Sequence, residues 1–246
     1  MKTKEITIQG NKRRLTAEFQ PIIHLYRNKI LRYETLARFY DEEGLSLSTQ
    51  EYIEGAEDSG AIHIVTDFIF DYICFLLKKK AQLNFSFNLS PLLLNDFDYI
   101  KKLHQKCLER GIEPQRIDIE ICERVTHQQL VGGRHYLAYC KSCGFTVSLD
   151  DFGAGNLSHD SLGVFRFDTI KIDRSMITNI GCDAGRWSHL QSMMEALQPL
   201  GINIVCEGVE KQDDLEQLKR YREIAIQGYI ISRPLTFRQL KLLEGF

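Results

Sequence analysis

Short apolar runs alternate with longer amphipathic ones along this chain. The short runs lie at residues 19–25, 30–39, 84–89, 116–121, 146–149, 168–172, 203–206 and 224–226, and are rich in Ile, Val, Phe and Leu. That composition marks strands buried on both faces. Between them, helical spacing of apolar residues predicts helices near 49–58, 62–80, 95–110, 128–142, 185–199 and 211–220. Gly111, Gly144 and Gly201 fall just after three of these, where C-terminal caps belong. Repeated β-α alternation over this length predicts an α/β fold, a (β/α)8 TIM-like barrel. A doubly wound open sheet is the alternative, and the lack of a GxGxxG after an early strand counts against it. Only a short turn separates 19–25 from 30–39, so these two form a hairpin and the barrel carries one antiparallel strand. No linker or low-complexity segment interrupts the pattern. One domain is expected over 19–246, behind a short polar tail at 1–18.

Composition adds exclusions. The 246 residues hold 31 Lys plus Arg against 33 Asp plus Glu, a formal charge of −2. A nucleic-acid coat would need a basic surplus. At 43% hydrophobic and 26% charged, the chain is wrong for disorder and long enough for a sizeable core. The most apolar stretch, 61–77, is broken by His63, Asp67 and Asp71 and reads as an amphipathic core helix, so no membrane association is expected. No signal-peptide pattern opens the chain, and a cytoplasmic protein is expected. Seven cysteines, an odd number, do not suggest a disulfide framework. Cys140 and Cys143 form one CxxC, read as a helix end, with a redox pair as the alternative.

The chemistry lies in what ends each apolar run. Glu34, Asn88, Glu120, Asp150 with Asp151, Lys171 with Asp173, Glu207 and Gln227 stand at or near the C-terminal ends of successive runs. In a parallel barrel those ends gather on one face, where active sites sit. A single acid at a strand end is ordinarily just solvated. Glu120 between Ile119 and Ile121, and Lys171 between Ile170 and Ile172, are harder to dismiss, because a buried charge needs a partner or a metal. Five carboxylates and an amide oxygen are hard donors that suit Mg²⁺, Mn²⁺ or Ca²⁺. Like charges so packed repel by about 4 kcal/mol per pair at about 4 Å and an effective dielectric of about 20, which divalent cations relieve. Only His24 lies near the set, which argues against a His-rich zinc site. Two cations sharing a bridging Asp would clamp a phosphoryl group and activate a water. Lys171 could orient that water or stabilise charge on the phosphate, and Arg38 could reach a phosphate oxygen.

The segments FQPIIHL, ETLAR, FNLS, IEICE, LDDFGAG, DTIKIDRS, CEGVE and QGYIISRPL, in this order from about Phe19 to Leu235, resemble the EAL domain, the cyclic di-GMP-specific phosphodiesterases of bacterial second-messenger signalling. The resemblance implies a barrel with one antiparallel strand that hydrolyses one phosphodiester bond of cyclic di-GMP to linear pGpG with Mg²⁺ or Mn²⁺. It further implies that Glu34, Asn88, Glu120 and Asp150 hold one metal, and that Asp150 and Asp151 hold or bridge to the second. Glu34, Lys171 and Glu207 would be catalytic, Lys171 contacting the catalytic water and Glu207 lying near the metals. Arg38, Gln20, Gln227 and Asp173 would serve substrate binding, and Glu123 would fix the loop after the Asp pair. A homodimer and roles in motility or biofilm control are also implied.

Two departures stand out. Thr35 replaces the small apolar residue of the EAL signature. The loop usually reading DFGTGYSSL is Asp151-Phe152-Gly153-Ala154-Gly155-Asn156-Leu157-Ser158-His159 here, which bears on dimer-coupled control rather than on a metal ligand. The rival expectation is a non-catalytic EAL module acting as a cyclic di-GMP receptor or an adaptor. The DFG triplet alone does not make a kinase, since HRD and Gly-rich loops are missing, as is any GxxxxGK phosphate loop. A nucleic-acid phosphodiesterase with the same metals is disfavoured by the near-neutral charge. With about 18 residues before the barrel and 11 after it, a stand-alone phosphodiesterase or a fragment of a longer protein is expected.

Overall fold

Nine strands lie in a single sheet whose spatial order follows the chain, in a computed structural model describing residues 2–122, 124–155 and 159–246. They are β1 (Lys4–Ile8), β2 (Asn11–His24), β3 (Lys29–Tyr40), β4 (Phe85–Leu89), β5 (Ile117–Cys122), β6 (Thr146–Phe152), β7 (Thr169–Ile172), β8 (Asn203–Cys206) and β9 (Ile224–Ile226). Strands β3 to β9 run parallel to one another. β2 is antiparallel to both β3 and β9 and closes the barrel through Ile23↔Ile226 and His24↔Ala225. The predicted barrel with one antiparallel strand is therefore the observed fold.

The crossover helices are α1 (Thr49–Asp58), α2 (Ile62–Lys79), α3 (Phe97–Arg110), α4 (His127–Ser142), α5 (His159–Leu162), α6 (Arg174–Ile177), α7 (Ala184–Leu197) and α8 (Gln212–Leu218), with α9 (Phe237–Glu244) closing the described chain. The expected helices match six of these. None is long and apolar enough to cross a membrane. Cys140 is buried near the end of α4, and burial pushes its thiol up to about 12. Such a thiol is a poor nucleophile, as the helix-end reading of the CxxC requires.

The expected polar tail at 1–18 is not a tail. Residues 4–8 pair with the start of β2, from Lys4↔Leu15 to Ile8↔Asn11, on the edge of β2 that β9 takes further along. Ile6 and Ile8 alternate with polar residues and are buried with Leu15 and Ala17. The turn is Gln9-Gly10, both at positive φ (50° and 78°), which is what a two-residue hairpin loop demands. Charged residues on both faces, Lys4 and Arg13 on that of Ile6 and Leu15, and Glu5, Lys12 and Arg14 on the other, hide the period-2 signal in the sequence.

Alternation along the strands separates two interiors. The main core, with Ile119, Ile121, Ile170 and Ile172, lies between sheet and helices. Inside the barrel, Ile22, Val205 and Ala225 form a small separate apolar cluster on the β2, β8 and β9 side. The β3 to β7 side is lined instead by Arg32, Ser86, Asp118, Ser148 and Thr169, which share strand faces with the site residues above them.

Candidate active site

Every barrel strand delivers one polar side chain to the same end. Gln20 comes from β2, Glu34 from β3, Asn88 from β4, Glu120 from β5, Asp150 from β6 and Lys171 from β7. Glu207 and Gln227 follow β8 and β9 directly. The register sets them side by side, with Gln20↔Glu34 and Asn88↔Glu120 as partners.

Lys171 is the centre. It is 1% exposed, and its Nζ lies 2.8 Å from both Asp150 Oδ1 and Glu207 Oε1, 3.2 Å from Glu120 Oε2 and 3.3 Å from Glu34 Oε2. Glu34 is fixed further by Gln227, whose Nε2 donates to Oε2 at 2.7 Å, and by Asn88, whose Nδ2 donates to Oε1 at 3.1 Å. Gln227 Nε2 also donates to Gln20 Oε1, and Gln20 Nε2 donates to the Ser232 carbonyl.

Asp150 and Asp151 are consecutive, so a regular strand would send them to opposite faces. Asp151 instead takes φ 57°, and the β6–β7 register shifts between Leu149 and Phe152. Both carboxylates thereby reach one cavity. Oxygens of Glu34, Glu120 and Asp150 lie within 4.8 Å of one another, as do those of Asp150, Asp151 and Glu207, with Asp150 common to both groups.

The protonation energetics are uneven. Burial pushes Glu120, Glu207 and Asp150 up, the first two well above the carboxylate range, despite the pull of Lys171. Burial and then the Asp150 charge push Asp151 up to about 7. Burial pushes Glu34 up too, but Lys171 and the amide donors more than reverse it, holding it below its usual value. For Lys171, burial favours loss of the proton, and the four surrounding carboxylates overcome it. One ammonium cannot neutralise five acids, so the site takes up protons or cations. The acids fit divalent cations: they are hard oxygen donors, and Glu120 Oε1 is buried with no hydrogen-bond partner among the described residues.

The cavity over the cluster holds about 330 Å³ and is lined by Gln20, Glu34, Asp150, Asp151, Glu207 and Gln227, with Asp173, Arg174, Glu210 and Tyr229 at its side. A second cavity of about 520 Å³ shares Asp150 and Asp151 and has a floor of Ile53, Ile62, Val65 and Ile69 from α1 and α2. Asp173 also caps α6, accepting from the Ser175 amide at 2.8 Å. Arg38 is not part of the cluster: its Nε donates to Glu18 Oε2 at 2.8 Å. Glu123 and the loop residues 156–158 lie outside the described residues. Arg174, Glu210 and Tyr229 escaped sequence reasoning because they stand just beyond the run ends, where polar residues are ordinary.

Fold and site together define a barrel protein with an acidic, cation-fitting cup at the C-terminal strand ends. The EAL domain family matches residues 4–234, and the chain belongs to that family. It is 30% identical over 230 residues to the protein y4lL of Sinorhizobium fredii, covering 93% of this chain and 28% of that one. Against the cyclic di-GMP phosphodiesterase NbdA of Pseudomonas aeruginosa it is 26% identical over 233 residues, covering 92% of this chain and 30% of that one. The chain thus spans about a third or less of these relatives. The PaMucR phosphodiesterase, solved in complex with c-di-GMP, superposes with a TM-score of 0.84 at 24% identity, covering 92% of this chain and 94% of that one.

Proposed function

We propose that this chain hydrolyses cyclic di-GMP to linear pGpG at the acidic cup, using Mg²⁺ or Mn²⁺. The observation that carries this is Asp150 shared between two three-carboxylate groups around Lys171. The naming of NbdA as a cyclic di-GMP phosphodiesterase and the c-di-GMP bound to PaMucR support the substrate.

Glu34, Asn88, Glu120 and Asp150 would hold one cation, and Asp150 with Asp151 the other, beside Glu207. Cations bound there would lower the pKa of a water and neutralise phosphate charge. Lys171 then faces the developing phosphate charge instead of four bare acids, and Gln20 and Gln227 keep Glu34 oriented. The water oxygen bonds to phosphorus, the ribose 3′ oxygen leaves and takes a proton, and the second phosphodiester stays intact. The apolar cavity beside Asp150 and Asp151 offers a floor for a base, while the polar one takes the phosphate side.

The test is release of pGpG from cyclic di-GMP by the purified chain with Mn²⁺, followed chromatographically. Product above that of Glu34→Ala is expected. Binding of the dinucleotide with no product above that control would leave a receptor instead.

A further inference from the structure

A second charged layer lies inside the barrel beneath the carboxylates. Arg32 stands two residues before Glu34 on β3, and Asp118 two residues before Glu120 on β5, each pair sharing an inward face. Arg32 forms an ion pair with Asp118. Asp118 is 2% exposed, and its two oxygens also accept from Thr146 Oγ1 and Ser148 Oγ, both at 2.5 Å. Branched apolar side chains ordinarily fill this position in a barrel, and a buried ion pair is no better for stability than they are. The other side of this interior is filled in the ordinary way, by Ile22, Val205 and Ala225. Neither Arg32 nor Asp118 lines either cavity at the site.

The layer above gives the pair a purpose. Two residues along a strand span about 6.6 Å, within the reach of a guanidinium. Glu120, the next inward carboxylate on β5, has an oxygen, Oε1, with no donor among the described residues. If Asp118 lost its charge, Arg32 would keep its own and turn to that oxygen, taking the position a cation needs.

We propose that Asp118 is a positioning residue: it anchors Arg32 in the lower layer and so keeps Glu120 free for a divalent cation, the pair together setting the affinity of the site for that cation. This rests on the cation reading given under Proposed function. Groups behind metal ligands commonly change metal affinity by about 10–100-fold when altered.

The test is Mn²⁺ binding to the full chain without substrate, from the electron paramagnetic resonance signal of free Mn²⁺, with thermal melts as a check on folding. Asp118→Asn is expected to weaken Mn²⁺ binding about tenfold or more. Arg32→Met leaves Asp118 held by two hydroxyls as an added negative charge, and is expected to tighten binding. Combining the two should bring the affinity back toward that of the unchanged protein. Should Asp118→Asn fail to fold, Arg32→Met still decides: tighter binding supports the proposal, and unchanged or weaker binding overturns it. A double variant no better than Asp118→Asn alone also overturns it. Mn²⁺ binding that ignores every variant sinks this inference but leaves the cation site standing. No Mn²⁺ binding by the unchanged protein removes both.

Discussion

Lys171 Nζ sits 2.8 Å from Asp150 Oδ1, the carboxylate shared by both acidic groups. The lysine is thus the only positive charge that the described structure places among four of the acids. Lys171→Met should cut kcat by about 10²–10³-fold and change KM much less, because the ammonium acts on charge that develops during reaction. The cation-free variant should also melt earlier and regain stability with Mn²⁺. Steady-state kinetics and melts with and without Mn²⁺ check this. Lost affinity with unchanged turnover would contradict the role.

Glu120 should show opposite effects on activity and stability. Burial pushes its carboxyl well above the usual carboxylate range despite the pull of Lys171, and Gln copies the neutral form that burial favours. Glu120→Gln is expected to lose at least about 10²-fold in hydrolysis, yet to melt within about 2 °C of the unchanged protein, or higher, without cation. Mn²⁺ should raise its melting temperature less than it raises that of the unchanged protein. Full hydrolytic activity in this variant would remove Glu120 from the ligand set.

Most of the barrel was legible because its strands are near-continuous apolar runs, and the site because each run ends on a polar residue. Where the physics is not local, the sequence was silent. The hairpin of β1 and β2 carries charge on both faces, with Lys4 and Arg13 interrupting the face of Ile6, Ile8, Leu15 and Ala17, so it read as a tail. That misreading also hid Glu18, the ion-pair partner of Arg38. The short helix α9 was missed although Tyr33 Oη, beside Glu34 in sequence, donates to Glu244 Oε1 at 2.5 Å. Nothing local in the sequence marks Arg32 and Asp118, because their pairing depends on barrel closure that no window of residues contains. The left-handed φ of Asp151, which brings both aspartates to one cavity, has no sequence signal in an Asp-Asp pair.

Gly228 tests how much the site depends on the backbone beneath Gln227. A Cβ there would stand 2.1 Å from the Val209 carbonyl oxygen and 2.4 Å from the Val209 nitrogen. Those same groups bond to the loop, Val209 N to Gln227 O and Ile230 N to Val209 O, both at 3.1 Å. No side-chain rotation relieves that overlap. Gly228→Ala should cost about 1–3 kcal/mol and lower activity by displacing the Gln227 amide from Glu34. Denaturant unfolding and turnover measure both, and a variant with normal stability and rate would show that this loop moves freely.

Cation binding should release protons, and Asp151 gives the window. Burial, then the Asp150 charge, sets its folded pKa at about 7, against about 3.9 in the unfolded chain. Between these values the cation-free folded protein holds a proton that the unfolded chain has lost. Its stability therefore falls as pH rises through that window and levels off above about 7. A cation displaces the same proton, so Mn²⁺ affinity should rise with pH up to about 7 and then flatten, as far as Asp151 is concerned. Asn tolerates the left-handed φ of this position, so Asp151→Asn preserves the backbone while removing the titration. Mn²⁺ titrations at pH 6, 7 and 8, with proton release measured calorimetrically in two buffers, should show about one proton fewer released by the variant at pH 6. Equal release by both proteins would mean that Asp151 is already ionised without a cation, and that the proton is stored on Asp150, Glu120 or Glu207 instead.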